Sequence, residues 1–250
     1  MSYVMIISPA KKMNVVEGPP YVTGTPRFIE RTERLMHAVQ ALDYEDAKAL
    51  WACSDKLAML NYDRFRNMDL AHNVTAAAIA YEGIQYQHLA PQVMSESELA
   101  FLDTHLRILS GFYGVLRPFD GVVPYRLEMQ AKLAADGARN LYEYWGKDLA
   151  KALAEETNTI VNLASVEYAK AITPYAQELG LKVITCLFGQ MINGKYVQRS
   201  TEAKAARGTF ARWCCENRVE EIKDFCHYTE RAYALDESKS ANDSWAYVLH

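Results

Sequence analysis

Helical and strand-like segments alternate from end to end of the chain, with no internal repeat and no low-complexity linker. This intermixing confines the chain to a mixed α/β (α+β) fold, read as a single compact domain over residues 1–250. "YVMIIS" (Tyr3 to Ser8) is a short, β-branched run closed by Pro9 and predicts a buried strand. Residues 12–26, with Gly18, Pro19, Pro20 and Gly24, predict a loop. Helical patterns cover 27–42 and 45–51, and a further helix begins after Ser54 as N-cap. A capping box of Ser95 and Glu98, followed by the stripe Leu99, Leu102, Leu106 and Leu109, predicts one helix that Gly111 ends. "YRLEM" (125–129) alternates as a strand, 141–156 is helical through Gly146, and "TIVNLAS" (159–165) is a strand leading into a short helix. Asn193 and Gly194 turn 181–200 into a β-hairpin, 201–218 is a helix, and 226–235 and 244–249 are two further strands. No crossover pattern is regular enough to define a doubly wound sheet.

Half of the residues are hydrophobic, enough for a sizeable core without disulfides or metal. Lys and Arg total 27 against 31 Asp and Glu, a net charge of −4, which argues against nonspecific coating of nucleic acid but leaves room for a local basic cleft. The N-terminal apolar run is short and has no basic region before it, unlike a secretory signal. Nothing approaches the roughly 18 apolar residues of a spanning helix, so a cytoplasmic protein with no membrane partner is expected. Five cysteines without framework spacing fit reduced thiols, and the adjacent Cys214 and Cys215 read as buried ones. CxxC, HExxH, Walker, GxGxxG and GxSxG motifs are all missing, so no metal and no cofactor are expected.

Several segments carry candidate chemistry. In 201–218, helical spacing puts Lys204, Arg207, Ala211 and Arg218 on one side, with Phe210 and Trp213 on the core side. That side is either a solvated basic face or an anion site, and Gly208 lets a ligand or another backbone approach. In the helix after Ser54, Leu57 and Leu60 define an apolar direction, Arg64 projects between them, and Lys56 and Asn61 flank it. A guanidinium so placed needs a structural carboxylate or a ligand.

"HLRILSGFYGVLRPFDGVVPYRLEM" (105–129) sets Arg107, Arg117 and Arg126 around a tight turn. A strand period puts Arg126 and Glu128 on one face, either as a simple pair or as a charge clamp with an acid–base group. "SGFYG", with Gly111 and Gly114, is similar to the hairpin of helix-hairpin-helix DNA-binding motifs, where backbone N–H groups meet phosphate. The usual glycines stand closer, and Pro118 with Gly121 leaves little room for a second helix. Ser8 and Lys11 in "ISPAKK", and Asn162, Ser165 and Tyr168 in "NLASVEY", lie just past strand ends, where α/β folds place ligand groups. All could equally be plain caps. A Ser with a Lys is also a nucleophile with its base, and Ser8, Glu128 and Tyr168 are the candidates for any catalysis.

"ISPAK", "SDKLAMLNYDRF", the 105–129 run, "LYEYW", "NLASVEY" and "AKAARG" stand in the order of the YaaA family, the bacterial peroxide stress response proteins, and the chain resembles that family to about residue 240. The resemblance implies a cytosolic protein that protects against hydrogen peroxide, is linked to limiting free iron, and binds double-stranded DNA in a positively charged cleft. It implies a YaaA-type fold with a helix-hairpin-helix-like element, here the helix ending at Leu109, the turn 110–114 and the residues from there through Arg117. The cleft would draw on Lys11, Lys56, Arg64, Arg107, Arg117, Arg126, Lys204 and Arg207; no catalytic activity is implied. The chain departs at Ala205, where the family often has Lys, and at 82–86, where an expected Asp is missing. An alternative reading is an enzyme acting on a nucleotide, nucleobase or damaged DNA, with Arg126 and Lys204 on phosphate.

Overall fold

The four residues of strand β1 (Val4–Ile7) are at most 1% exposed. Successive side chains of a strand point to opposite faces, so a strand buried throughout must be covered on both and paired on both edges. The computed structural model, which describes residues 3–16, 20 and 22–250, meets that demand. The first half contains β2 (Lys12–Met13), α1 (Ile29–Gln40), α2 (Tyr44–Trp51), α3 (Asp55–Arg66), β3 (Thr75–Ala76), α4 (Ala77–Ala80), β4 (Tyr81–Glu82) and α5 (Ile84–Leu89). Then come α6 (Glu96–His105), β5 (Leu106–Ser110), β6 (Gly114–Leu116), β7 (Gly121–Val122), α7 (Leu141–Trp145), α8 (Asp148–Ala154), β8 (Thr159–Asn162), α9 (Val166–Ala169) and α10 (Thr173–Ala176). The chain closes with β9 (Lys182–Ile192), β10 (Lys195–Val197), α11 (Ser200–Asn217), β11 (Tyr233–Leu235) and β12 (Ser244–Leu249).

Eight strands form the main sheet in the order β11-β12-β9-β8-β1-β5-β6, with β10 on β9. β1 runs parallel to β5 on one side (Met5 opposite Leu106) and to β8 on the other (Met5 opposite Val161). β8 to β9 and β9 to β12 are also parallel, whereas β6, β10 and β11 add antiparallel edges. The chain therefore leaves β1 for β5, returns to the other side of β1 as β8, and continues outward. The reversal lies between β1 and β8, and the crevice beyond the carboxyl ends of strands at such a point is where open α/β sheets take ligands. One continuous hydrophobic cluster runs from Tyr3 to Tyr247.

The mixed α/β class and the single core agree with the sequence. The predicted helix to Leu109 does not: α6 keeps its Ser95–Glu98 capping box but stops at His105, and 106–110 is a central strand. Residues 106–116 are all buried, and a run buried on every side has no polar face to reveal its period. The helix-hairpin-helix reading is thereby replaced by helix, strand, turn and antiparallel strand. "YRLEM" alternates as expected, with Tyr125 and Leu127 buried, but it pairs with no strand. The helix through Gly146 is broken there, at φ +51°, into α7 and α8. Only 233–235 of the segment 226–235 is strand. Leu57 and Leu60 face solvent, and α3 buries Ala58, Asn61 and Phe65 instead. The 12–26 loop carries the short β2 pair, and its Gly18 and Pro19 lie outside the described residues.

Asp120 is buried, with Oδ2 accepting the Arg117 N–H at 2.8 Å. Burial pushes its carboxyl up to about 6. The folded state thus favours the protonated form, so this group's stabilisation is complete below the unfolded carboxyl value near 4 and is lost as pH rises through about 6. Asp120→Asn keeps the acceptor and removes the charge. Denaturant titrations should find the variant more stable than the parent by about 1–3 kcal/mol at pH 8, with no advantage at pH 4; a less stable variant at pH 8 contradicts this.

Candidate functional site

Ser8, just past β1, and Ser165, three residues past β8, meet across the reversal point. Ser8 Oγ accepts the Ser165 N–H at 2.8 Å and donates to Ser165 Oγ at 3.2 Å, while Tyr86 donates to the Ser8 carbonyl at 2.9 Å. Beyond them the 125–130 segment crosses the same end. Lys11 Nζ lies 3.2 Å and Arg126 Nη2 3.3 Å from one oxygen of Glu128, Oε1. Arg126 and Glu128 are 11% and 17% exposed, and Lys11 is 67% exposed. Glu167, two positions past Ser165, accepts the Gln130 N–H at 3.2 Å. Its carboxyl is raised by burial and by the charge of Glu128. Tyr168 is buried beside Met129, and burial holds its phenol well above the ordinary value, so it is a proton donor rather than a base at neutral pH.

α5 and α11 wall this end. Gly83 abuts Ala10, Gln85 Nε2 donates to the Leu163 carbonyl at 3.4 Å, and a Cβ on Gly208 would collide with the Gln85 carbonyl oxygen. Gly208 thus admits a second backbone, one of the two uses its sequence position allowed. Lys204 is exposed on α11 and Arg207 is half-buried; neither has a carboxylate partner among the described residues. Arg207 Nε is buried and without a hydrogen-bond partner, and burial lowers the guanidinium's affinity for its proton. Ala211, expected on this basic side, belongs to the core, as does Ala205.

The other predicted cations lie elsewhere. Arg107 is buried at the edge where β5 begins, bonded to Glu156 and to the Asp103 and Leu106 carbonyls. Arg117, after the antiparallel β6, is at that same edge and pairs with Asp103. Both are therefore at the opposite end of the sheet from Ser8 and Lys11. The Gly111–Gly114 turn is buried, and its Phe112 and Tyr113 N–H groups donate to Ser110 Oγ, so it offers none to an outside phosphate. Gly111 is required because a Cβ there would lie 2.5 Å from the Leu127 carbonyl oxygen. Lys56 is exposed on α3, and Arg64 is half-buried with Asn61 Oδ1, at 3.4 Å, as its one partner among the described residues. A concavity of about 590 Å³ beside α1, lined by Val22, Met36, Met68 and Val74 together with Glu33 and Asp69, contains none of these residues.

Sequence reasoning missed Glu167 and Gln85; each is one polar residue within a short helix, and no local pattern distinguishes it. Among the described residues no group of His, Cys, Asp and Glu is placed to hold a metal, and no helix is long and apolar enough to cross a membrane.

The geometry is that of an α/β protein whose polar residues gather at the carboxyl ends of two parallel strands where the strand order reverses. A profile of the family described as peroxide stress protein YaaA matches residues 3–239, and the chain belongs to that family. A UPF0246 protein of Pediococcus pentosaceus is 46% identical over 244 residues, covering 98% of this chain and 97% of its own. UPF0246 proteins of Desulfitobacterium hafniense and Lachnoclostridium phytofermentans are 41% and 43% identical, covering 98% and 94% of this chain and 97% and 92% of theirs.

Gly208→Ala should force α11 away from α5 and cost about 2–4 kcal/mol in equilibrium unfolding. A stability equal to the parent's would show that the two backbones are not in contact.

Proposed function

We propose that this member of the peroxide stress protein family is a cytosolic protein that binds double-stranded DNA by its phosphates, helping to limit iron-dependent oxidative damage. The observation that carries this reading is Arg207: a half-buried guanidinium with no carboxylate partner, one turn after the exposed Lys204, on the wall of the edge that also holds Lys11. A buried charge without a partner is costly, and an anion is what compensates it. Lys11, Lys204 and Arg207 are the central contacts, with Lys56 and Arg64 on α3 as further cations. Contacts of this kind position a duplex without reading its sequence. A second reading, an enzyme acting on a nucleotide, nucleobase or damaged DNA in the same cleft, is favoured by Glu128, whose carboxylate between two cations exceeds what phosphate binding needs.

Fluorescence anisotropy of a labelled duplex across salt concentrations tests the first reading. Binding should weaken with salt, and Lys204→Ala should flatten the log–log slope by about 0.9. Arg117→Ala, at the far edge, should leave it unchanged. Binding insensitive to salt, or altered more by Arg117→Ala than by Lys204→Ala, contradicts the proposal. Glu128→Gln separates the readings in cells: peroxide protection lost with duplex binding intact supports the enzyme.

A further inference from the structure

The contacts around Ser8 form a closed circuit. Ser8 bonds Ser165; Glu167, two positions past Ser165, holds Gln130 N–H and lies within electrostatic reach of Glu128 and Lys11; Lys11 leads back along the chain to Ser8. Within that circuit, hydrogen-bonding capacity is unspent. Lys11 and Arg126 share the one Glu128 oxygen, Oε1, as ion pairs without a well-directed hydrogen bond, and Arg126 Nε is buried with no hydrogen-bond partner among the described residues. Buried polar atoms are nearly always satisfied. Ser8 spends its proton on Ser165 Oγ, which leaves the Ser165 proton directed to no described acceptor. The cluster therefore presents donors of three kinds, guanidinium, ammonium and hydroxyl, beside the Glu128 and Glu167 carboxylates.

We infer that this cluster is a binding site for a small phosphomonoester, held by Arg126, Lys11 and Ser165 and by a hydrogen bond from the ligand's own P–O–H to Glu128. The site requires neither Lys204 nor Arg207 and goes beyond the duplex reading. A phosphate group supplies several acceptor oxygens, and near its second ionisation, at about pH 6, it also carries one donor. A carboxylate ligand at neutral pH carries none. The charged and titratable groups facing Glu128 are Lys11, Arg126, Glu167, Tyr125 and Tyr168. Among these Glu128 is the one whose charge opposes the fully ionised ligand at the cations themselves, so binding weakens as the ligand loses its last proton.

Isothermal titration calorimetry of the full chain with inorganic phosphate and with a nucleoside monophosphate, at pH 6.5 and 8, tests the site. The two should compete, bind more weakly at pH 8, and be unaffected by acetate. Glu128→Gln removes the opposing charge and adds an amide donor. It should tighten binding at pH 8 by about tenfold and flatten the pH dependence. Lys11→Ala, at an exposed position, should weaken binding by about tenfold without loss of fold. No binding by the parent, acetate binding as tight as phosphate, or a folded Glu128→Gln no tighter than the parent at pH 8 overturns the proposal. Duplex anisotropy on the same preparations keeps the two readings apart: salt-sensitive duplex binding beside a flat phosphate titration removes this site and leaves the duplex reading standing.

Discussion

Everything in the fold is arranged around the parallel pairing of β1 with β5 and β8. A fully apolar strand can exist only with ladders on both edges and packing on both faces, and the chain provides these by crossing to β5 and then back to β8. Parallel strands share their ends. The residues just past β1 must therefore lie beside those just past β8, and in this sequence they are Ser8, Lys11, Ser165 and Glu167. Positions 157 residues apart, Ser8 and Ser165, are joined by hydrogen bonds for that reason alone.

The two ends of the sheet treat charge differently. Where β5 and β8 begin, Arg107 and Arg117 are matched by Glu156 and Asp103. Such pairs hold α6 and the segment before β8 against the sheet, and removing one partner would strand the other charge. At the carboxyl ends Lys11 and Arg126 share the one Glu128 carboxylate, and Arg207 has no carboxylate partner among the described residues. Burial pushes Cys186, which lies within electrostatic reach of Arg207, and Cys215 up to about 12, so both stay protonated and unreactive.

The sequence reveals features that are written locally. Ser95 and Glu98 cap α6, Asn193 and Gly194 take positive φ in the β9–β10 turn, and Cys214 and Cys215 are buried thiols. Ser8, Lys11, Arg126, Glu128 and Tyr168, drawn from strand-end and alternation patterns, come together at one place. What fails is period reading inside the core: Leu99, Leu102, Leu106 and Leu109 fit a helical stripe, although 106–110 is a strand buried on both sides. That one error hid the parallel sheet and its reversal point. It also grouped Arg107 and Arg117 with cations at the far edge. The apolar side of α3 was misplaced for a different reason, since Leu57 and Leu60 are exposed where Ala58 and Asn61 make the close packing.

Hydrogen–deuterium exchange of the full chain with and without a short duplex tests most directly whether the carboxyl edge of the sheet is the anion-binding edge. Slowed exchange in 8–11, 126–130, 163–168 and 203–208, with 103–107 and 116–118 unchanged, is the expected result. Slowed exchange confined to 103–107 and 116–118 would place the contact at the opposite edge and contradict the assignment.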